Sequence, residues 1–551
     1  EIASCLVGSE MCIRDRNKTW LFGKEKGAYI FMEEQKNLQE EQPRGETSSS
    51  KLGTQPVGKL LLKLSIPTIT AQLVNALYNI VDRIYIGHMP DSGSYALTAM
   101  GVCLSLIMII SAFAYLTAIG GAARASIMMG KGDKEEAERI LGNCAVVTAA
   151  VGAILTVIFI IFAEKLLWTF GATEDTIEYA VEYMRIYALG SVFVELALGL
   201  NAFITAQGFS LIGMLSVLIG AVTNIVLDPI LIYGFSMGVK GAAIATVVSQ
   251  MFSAIWVVAF LTGKKTVLKI RPKYFRVCLA SYLPCIFLGL SPFIMQFTES
   301  VLTICFNVSL KKYGGTIAVG AMTILSSVMQ FAMLPLQGMT QGAQPVVSYN
   351  YGAGKKERVK RAFSILLRSC VIYSALLWAV CMIFPQLFVM MFTTDEALKA
   401  YAIKPLRIYM CMSLIFGAQI ACQQTFIALG NAKTSFFLAV LRKIILLIPL
   451  IFVLPYIFTA DKVTAVFMAE PIADTLAVAT TVTIFAVSFS KYLKREDTEE
   501  NLPVPVSEAS EGDAAENEKE EISAHVGGAS EKEERNFSEQ GEDRQNPFDG
   551  I

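Results

Sequence analysis

Two aspartates stand inside segments that otherwise read as membrane-crossing helices. Asp82 lies in "YNIVDRIYIG", residues 78–87, near the end of an apolar run that opens around Leu60; Leu64 to Val81 carries no charged residue. That stretch is about as long as a helix must be to cross hydrocarbon. Asp228 lies in "NIVLDPILIYG", a second such segment. A carboxylate at the middle of a spanning helix costs roughly 2.5–3.5 kcal/mol on insertion scales, so one that is kept there points to function. Tyr78 precedes Asp82 by four residues and Asn224 precedes Asp228 by four, with Pro229 just beyond. That spacing sets each carboxylate on one helix face with a neutral hydrogen-bonding partner. Groups of this kind can hold a proton or a small cation. The competing reading pairs Asp82 with Arg83, but adjacent helical residues point in different directions.

The elements that carry these residues follow from composition. Of 551 residues, 54% are hydrophobic and 17% charged, whereas a soluble chain of ordinary composition carries about 25% charged residues. The charges gather in short loops and at the two ends, so a net charge of −1 gives no reason to expect a nucleic-acid partner. Eleven cysteines are scattered without a C-x-x-C pair, and the only histidines, His88 and His525, fall in a loop and a polar tail. Neither a zinc site nor a histidine acid–base site is expected, and no P-loop is present to use ATP. The chain reads as a polytopic membrane protein and not as an enzyme.

The ends are set apart. "SCLVGSEMCIRDR" at 4–16 looks like a translated sequencing-library adapter, so residues 1–31 are excluded and Met32 is read as the start. Residues 32–58 read as a polar leader. Residues 491–551, acidic and poor in aromatics, read as a disordered tail. Between them twelve apolar segments appear, near 60–87, 95–128, 138–163, 180–207, 211–235, 239–262, 279–310, 316–348, 360–388, 402–429, 435–458 and 463–490. The loops "KGDKEEAER", "GKKTVLKIRPKYFR" and "GKKERVKR" hold three, six and five Lys/Arg; "HMPDSGSY", "GFSMGVK" and "KKYGG" hold none, one and two. The positive-inside bias makes the basic loops, and with them both termini, cytoplasmic.

The chain also repeats itself. At an offset of 222, Gly130 and Gly132 recur as Gly352 and Gly354, Arg185-Ile186-Tyr187 as Arg407-Ile408-Tyr409, and Ala206 and Gly208 as Ala428 and Gly430; Pro67 has a near counterpart in Pro292. Six spans in each half give both halves the same orientation, so the predicted fold is all-α. It has twelve transmembrane helices as two six-helix lobes related by a pseudo-two-fold axis along the membrane normal. The expected boundaries are 59–263 for the N-lobe, 264–278 for a basic cytoplasmic linker and 279–490 for the C-lobe.

"SIPTITAQLVNALYNIVDRIYIG", "GKGDKEEAERIL" with its echo "GAGKKERVKRAF", "NIVLDPILIYGFSMGVKGAAIAT" and "AEPIADTLA" resemble the multidrug and toxic compound extrusion (MATE) family. The likeness extends over residues 55–490. It implies an antiporter of the bacterial inner membrane that expels organic cations in exchange for H⁺ or Na⁺. It also implies that Asp82, Asn201, Asn224, Asp228 and Thr246 form a polar cluster in the N-lobe, and that helix 1 bends at Pro67; the residues alone supply only the two pairs four apart. Carboxylates taken out of water and set near one another bind a proton more readily than in water, and when deprotonated can hold Na⁺. The repeat places Asn307 opposite Asp82 and Leu450 opposite Asp228, so this ionisable pair belongs to one lobe.

The C-lobe offers Glu299, with Gln296 one turn before it, and Arg442, Glu470 and Asp474, which can meet across the last two spans as an ion pair or a transport element. Some members of the family carry an aspartate in helix 10, where this chain has "FGAQIACQQTFIALG"; that departure argues against a C-lobe Na⁺ site. The alternative is a lipid-linked precursor flippase or other solute exporter of the same superfamily, which should present buried Arg or Lys to phosphates. No cofactor is expected, and the partners are small organic cations and membrane lipids around a monomer. The orientation is open to test: a cysteine placed in loop 264–276 should react with an impermeant maleimide only from the cytoplasmic side, and labelling from outside would overturn the topology.

Overall fold

The computed structural model describes residues 48–494, apart from 90–92 and 394. The expectations for residues 1–47 and for the tail from 495 lie outside the described residues, as does part of the "HMPDSGSY" loop. Helices α1 (Val57–Gly87), α2 (Tyr95–Lys131) and α3 (Lys134–Thr169) are followed by α4, a pair (Ile177–Leu189 and Ser191–Ala206) bent by 56°. Then come α5 (Ser210–Gly234) and α6 (Gly238–Thr262). The run Leu279–Gly352 counts 74 residues, but Gly315 at φ 66° and ψ −162° breaks it. A continuous helix of that length would reach about 110 Å, far more than a bilayer; it is two spans, α7 (279–314) and α8 (316–352). The C-terminal part holds α9 (Lys356–Ile383), α10 (Glu396–Tyr409 and Ser413–Ala428, bent by 50°), α11 (Ala432–Ile457) and α12 (Lys462–Phe489). Among the described residues there is no strand.

Local chemistry sets the helix ends. Gly132, at φ 86°, closes α2, and the Asp133 carboxylate then accepts from Glu136 N at 2.9 Å to start α3. A left-handed residue without a Cβ followed by an oxygen acceptor is the ordinary way to stop one helix and begin another. Gly208 and Gly430 do the same after α4 and α10, at φ 87° and 77°. On α3, Leu155, Phe159 and Ala163 are buried while Ile154, Val157 and Ile161 are more than half exposed. A helix that is apolar on both its inner and outer faces belongs in lipid.

The repeat in sequence is a repeat in space. Gly132 and Gly354 share positive φ, as do Gly208 and Gly430. The Ser126 hydroxyl donates to Ala206 O, and its counterpart Ser348 donates to Ala428 O at 2.8 Å. At the end bearing the basic loops the lobes touch backbone to backbone. A Cβ on Gly130 would overlap the Tyr349 carbonyl, and one on Gly352 would overlap the Ile127 carbonyl. Ile127 and Tyr349 are themselves 222 apart, so each contact maps onto the other. Reciprocity of this kind is the mark of a two-fold axis, here between α2 and α8. The same axis relates α8 Gly342 against α1 Ser65 to α2 Gly120 against α7 Gly289.

The lobes also exchange their leading ends. Val57, Leu60, Leu61 and Leu64 of α1 enter the core built by α8, α9 and α10. Tyr282 and Cys285 of α7 enter the core of α2, α3, α4 and α6. The last part of the predicted leader is likewise structured: Ser48–Thr54 is helical, and the Leu52 carbonyl accepts from Asn350 Nδ2 at 2.9 Å and from Arg358 Nη2 at 3.1 Å. The linker is held by Gln207, whose Oε1 accepts from Thr266 Oγ1, Val267 N and Leu268 N, and by buried Glu138, paired with Arg271 at 2.8 Å.

Filling the seam must push the lobes apart. Overpacking costs about 1–3 kcal/mol, so Gly130→Val and Gly352→Val should each lower the thermal midpoint and speed maleimide modification of an Ile127→Cys probe. Wild-type melting and labelling in both variants would show that these glycines do not hold the seam.

Candidate functional site

Asp82 and Asp228 come together in the N-lobe. Asp82 is 6% exposed, and Asn224 and Asp228 are fully enclosed. Asn224 Nδ2 donates to Asp228 Oδ1 at 3.2 Å and to Thr246 Oγ1 at 3.5 Å, while the Thr246 hydroxyl donates to Ala242 O at 3.0 Å. Asp82 stands close enough to Asp228 for their charges to repel. Tyr78 faces Asp82 and lies beside Gln250. Three oxygens lack any hydrogen-bond donor: Asp82 Oδ1, Asn224 Oδ1 and Asp228 Oδ2. Buried acceptors are nearly always satisfied, so three orphans in one cluster call for a proton or a cation. Arg83 is exposed and makes no ion pair with Asp82 among the described residues.

Helix geometry explains the placement. Pro229 withholds an N–H one residue past Asp228, and a π-turn, Ile230–Gly234, follows. Turns of this type loosen the hydrogen-bond ladder and occur often at functional sites. Asn201 does not join the acidic pair: its amide donates to Gly213 O at 3.2 Å, three turns before Asn224 on α5. Pro67 does not break α1, which stays helical through it. Beside it the Thr68 hydroxyl donates to Gly338 O on α8 at 2.6 Å, tying this stretch across the seam.

The sequence reading missed Tyr183, Tyr187 and Glu195. Tyr183 is buried and turns toward Asp82 and Thr246. Tyr187 faces Tyr78, and its repeat partner Tyr409 faces Glu299, Glu470 and Asp474 in the other lobe. The doubled Arg-Ile-Tyr was the available signal, since a tyrosine kept in both halves of one chain marks an equivalent inward position.

The C-lobe assembles a different set. Arg442 Nε donates to Asp474 Oδ1 at 2.7 Å and Nη2 to Glu470 Oε1 at 3.2 Å, with the guanidinium 4.4 Å from the Phe416 ring centre. Lys443 Nζ donates to Glu299 Oε1 at 2.6 Å, a partner the sequence reading did not name. Arg442 and Lys443 both lie in a π-turn, Leu441–Leu447. Gln296, partly buried, makes no bond to Glu299 among the described residues. The acids here are paired, whereas those of the N-lobe have oxygens to spare.

The MatE family model matches the chain twice, over residues 67–230 and 292–453, once in each half and opening each time on the paired prolines. The chain belongs to the MatE family. It is a multi-pass membrane transporter of that family. A multidrug export protein, MepA, from Staphylococcus aureus (strain MRSA252) is 25% identical over 461 residues, 83% of this chain and 97% of that protein. Among solved structures, a MOP superfamily transporter from Pyrococcus furiosus aligns with a TM-score of 0.75 at 23% identity, over 81% of this chain and 98% of that one. A multidrug resistance MATE family transporter in an outward-facing conformation aligns at 0.74 and 22%, over 81% and 98%. These likenesses establish the twelve-helix MATE fold.

The two lobes should respond differently to loss of an acid. Breaking a buried ion pair strands its partner and costs about 3–5 kcal/mol, so Asp474→Asn should lower the melting temperature in detergent markedly. Asp82→Asn, at a carboxylate that makes no direct ion pair among the described residues, should melt within a degree or two of wild type, by the roughly 0.5 kcal/mol scale of neutral changes. The reverse order would overturn this division between structural and poised acids.

Proposed function

We propose that this protein is an antiporter of the bacterial plasma membrane, working as a monomer with both termini in the cytoplasm, that expels organic cations in exchange for inward H⁺ or Na⁺. The observation that carries the reading is the N-lobe cluster, two close carboxylates and an amide with three oxygens lacking a donor. The export of drugs named for the staphylococcal relative supports the outward direction and a small-molecule substrate.

The lobes close on each other at the basic end, and the positive-inside bias reads that end as cytoplasmic. The state described is then one closed on the cytoplasmic side. The interlobe hydrogen bonds of α1 reach from Ser65 to Gln72, whose Nε2 donates to Gln341 Oε1 at 3.1 Å. Beyond that point Tyr78 and Asp82 look into the N-lobe.

Exchange follows from the charge of the cluster. Deprotonated, Asp82 and Asp228 attract a cation, and the repulsion between them favours a bound positive charge. A proton or Na⁺ entering from outside neutralises the site, weakens its hold on the substrate and lets α1 rearrange near Pro67. The ion leaves once the site faces the cytoplasm. A monovalent organic cation exchanged one-to-one moves no net charge, so the ion's concentration gradient drives it; each further positive charge moving inward through 100 mV adds about 2.3 kcal/mol.

Dye efflux in inverted vesicles, energised separately by a pH gradient and a Na⁺ gradient, tests both the exchange and the ion. Asp82→Asn and Asp228→Asn keep the shape but lose the titration, so each should abolish coupled efflux at normal expression. Glu299→Gln should be milder, because its acid serves Lys443. Full gradient-driven transport by Asp82→Asn would refute the mechanism.

A further inference from the structure

One face of α4 carries Tyr183, Tyr187, Ser191 and Glu195, each four residues from the last. Their exposures are 2%, 5%, 0% and 0%. Four-residue spacing lays them in one stripe, and the bend of α4 leaves all four facing inward. At its upper end Tyr183 turns toward Asp82, and its ring stacks on Tyr187 with centroids 6.1 Å apart. Tyr187 lies between Tyr78 and Glu195, within electrostatic reach of both. At the lower end both Glu195 oxygens and Ser191 Oγ have no hydrogen-bond partner.

Every element packed against Glu195 makes room for it without offering a counter-charge. On α3, Gly152 opposes its side chain: a Cβ there would stand 3.4 Å from Glu195 Cγ. On α2 the backbone at Ala114 lies against the carboxyl, just ahead of the π-turn Tyr115–Ile119. The hydroxyls of Thr117 and Thr148, nearby on α2 and α3, are already bonded to Phe113 O and to each other. The titratable groups that face Glu195 are Tyr187 on α4 and Tyr282 on α7. No Lys, Arg or His acts on it among the described residues.

An ionised carboxylate in such a place has no counter-ion, and the Ala114 backbone is the one polar group set against it, so burying the charge is costly. A carboxylic acid has one proton to place and leaves no charge buried. The fold does not require an acid here, because the repeat counterpart is Gly417, packed against the Cys370 carbonyl. We propose that Glu195 is a second proton-binding site of the N-lobe, reached from Asp82 through the hydroxyls of Tyr78 and Tyr187. It gives the coupling proton a station deeper in the bundle than the aspartate pair. Its surroundings are tyrosine rings and helix backbone, not the ring of oxygens that a metal cation takes.

The part played in coupling rests on the antiport reading; proton binding itself does not. Two measurements on the full chain separate them. Infrared difference titration of the purified protein should show a protonated-carboxyl band that Glu195→Gln removes and Asp82→Asn retains. In vesicles, Glu195→Gln should slow pH-driven dye efflux at least tenfold and flatten its pH profile, with dye affinity unchanged. Glu195→Asp should restore part of the profile, and Tyr187→Phe should slow efflux while keeping the band. A band that survives Glu195→Gln, or a variant with the wild-type pH profile, overturns the inference. A wild type that shows no pH-driven efflux, yet loses the band in Glu195→Gln, fails the antiport reading and upholds the proton site.

Discussion

The contact on which the rest depends is backbone against backbone, where Gly130 meets the Tyr349 carbonyl and Gly352 meets that of Ile127. Lipid gives helices no hydrophobic drive to associate, so close approach through small residues must supply it. Because each contact is the image of the other, one seam closes both lobes at the same end of the molecule. The Leu52 side chain, 3.3 Å from where a Cβ on Gly208 would stand, wedges the N-terminal helix against that end from the N-lobe side while its carbonyl is held by the C-lobe.

Within this symmetric frame the polar contents are unlike. The C-lobe holds Arg442 and Lys443 against Glu299, Glu470 and Asp474 in short ion pairs. Removing one member of such a pair strands its partner and is expensive. The N-lobe holds Asp82, Asp228 and Glu195 with oxygens lacking donors. The architecture thus occurs twice, and its two copies differ in whether their buried acids are paired.

Irregular backbone gathers at these polar places. The π-turn Ile230–Gly234 follows Asp228, Leu441–Leu447 carries Arg442 and Lys443, and Tyr115–Ile119 lies beside Glu195. In hydrocarbon a loosened ladder is tolerated only where protein groups surround it. The three turns thus mark where the interior is polar enough to accept one.

Much was legible in the residues alone. Apolar runs of spanning length, the offset of 222 and the distribution of Lys and Arg determined the helix number and the doubled order, because hydrocarbon thickness and backbone satisfaction leave a chain few choices. The isolated acids Asp82 and Asp228 stood out because a charge in such a run is costly. Side-chain partners across helices were not legible: that Lys443 pairs with Glu299, that Asn201 serves Gly213 in place of the aspartates, and that Tyr183 and Tyr187 line the acidic cluster. Periodicity along one helix gives each residue a face but not the neighbour that the face meets. Glu195 shows the limit most plainly. The sequence has one acid in an apolar run, but only packing shows that α2, α3 and α7 surround it with no counter-charge among the described residues. That choice belongs to the tertiary structure, because the energy of a buried carboxyl is set by what stands around it.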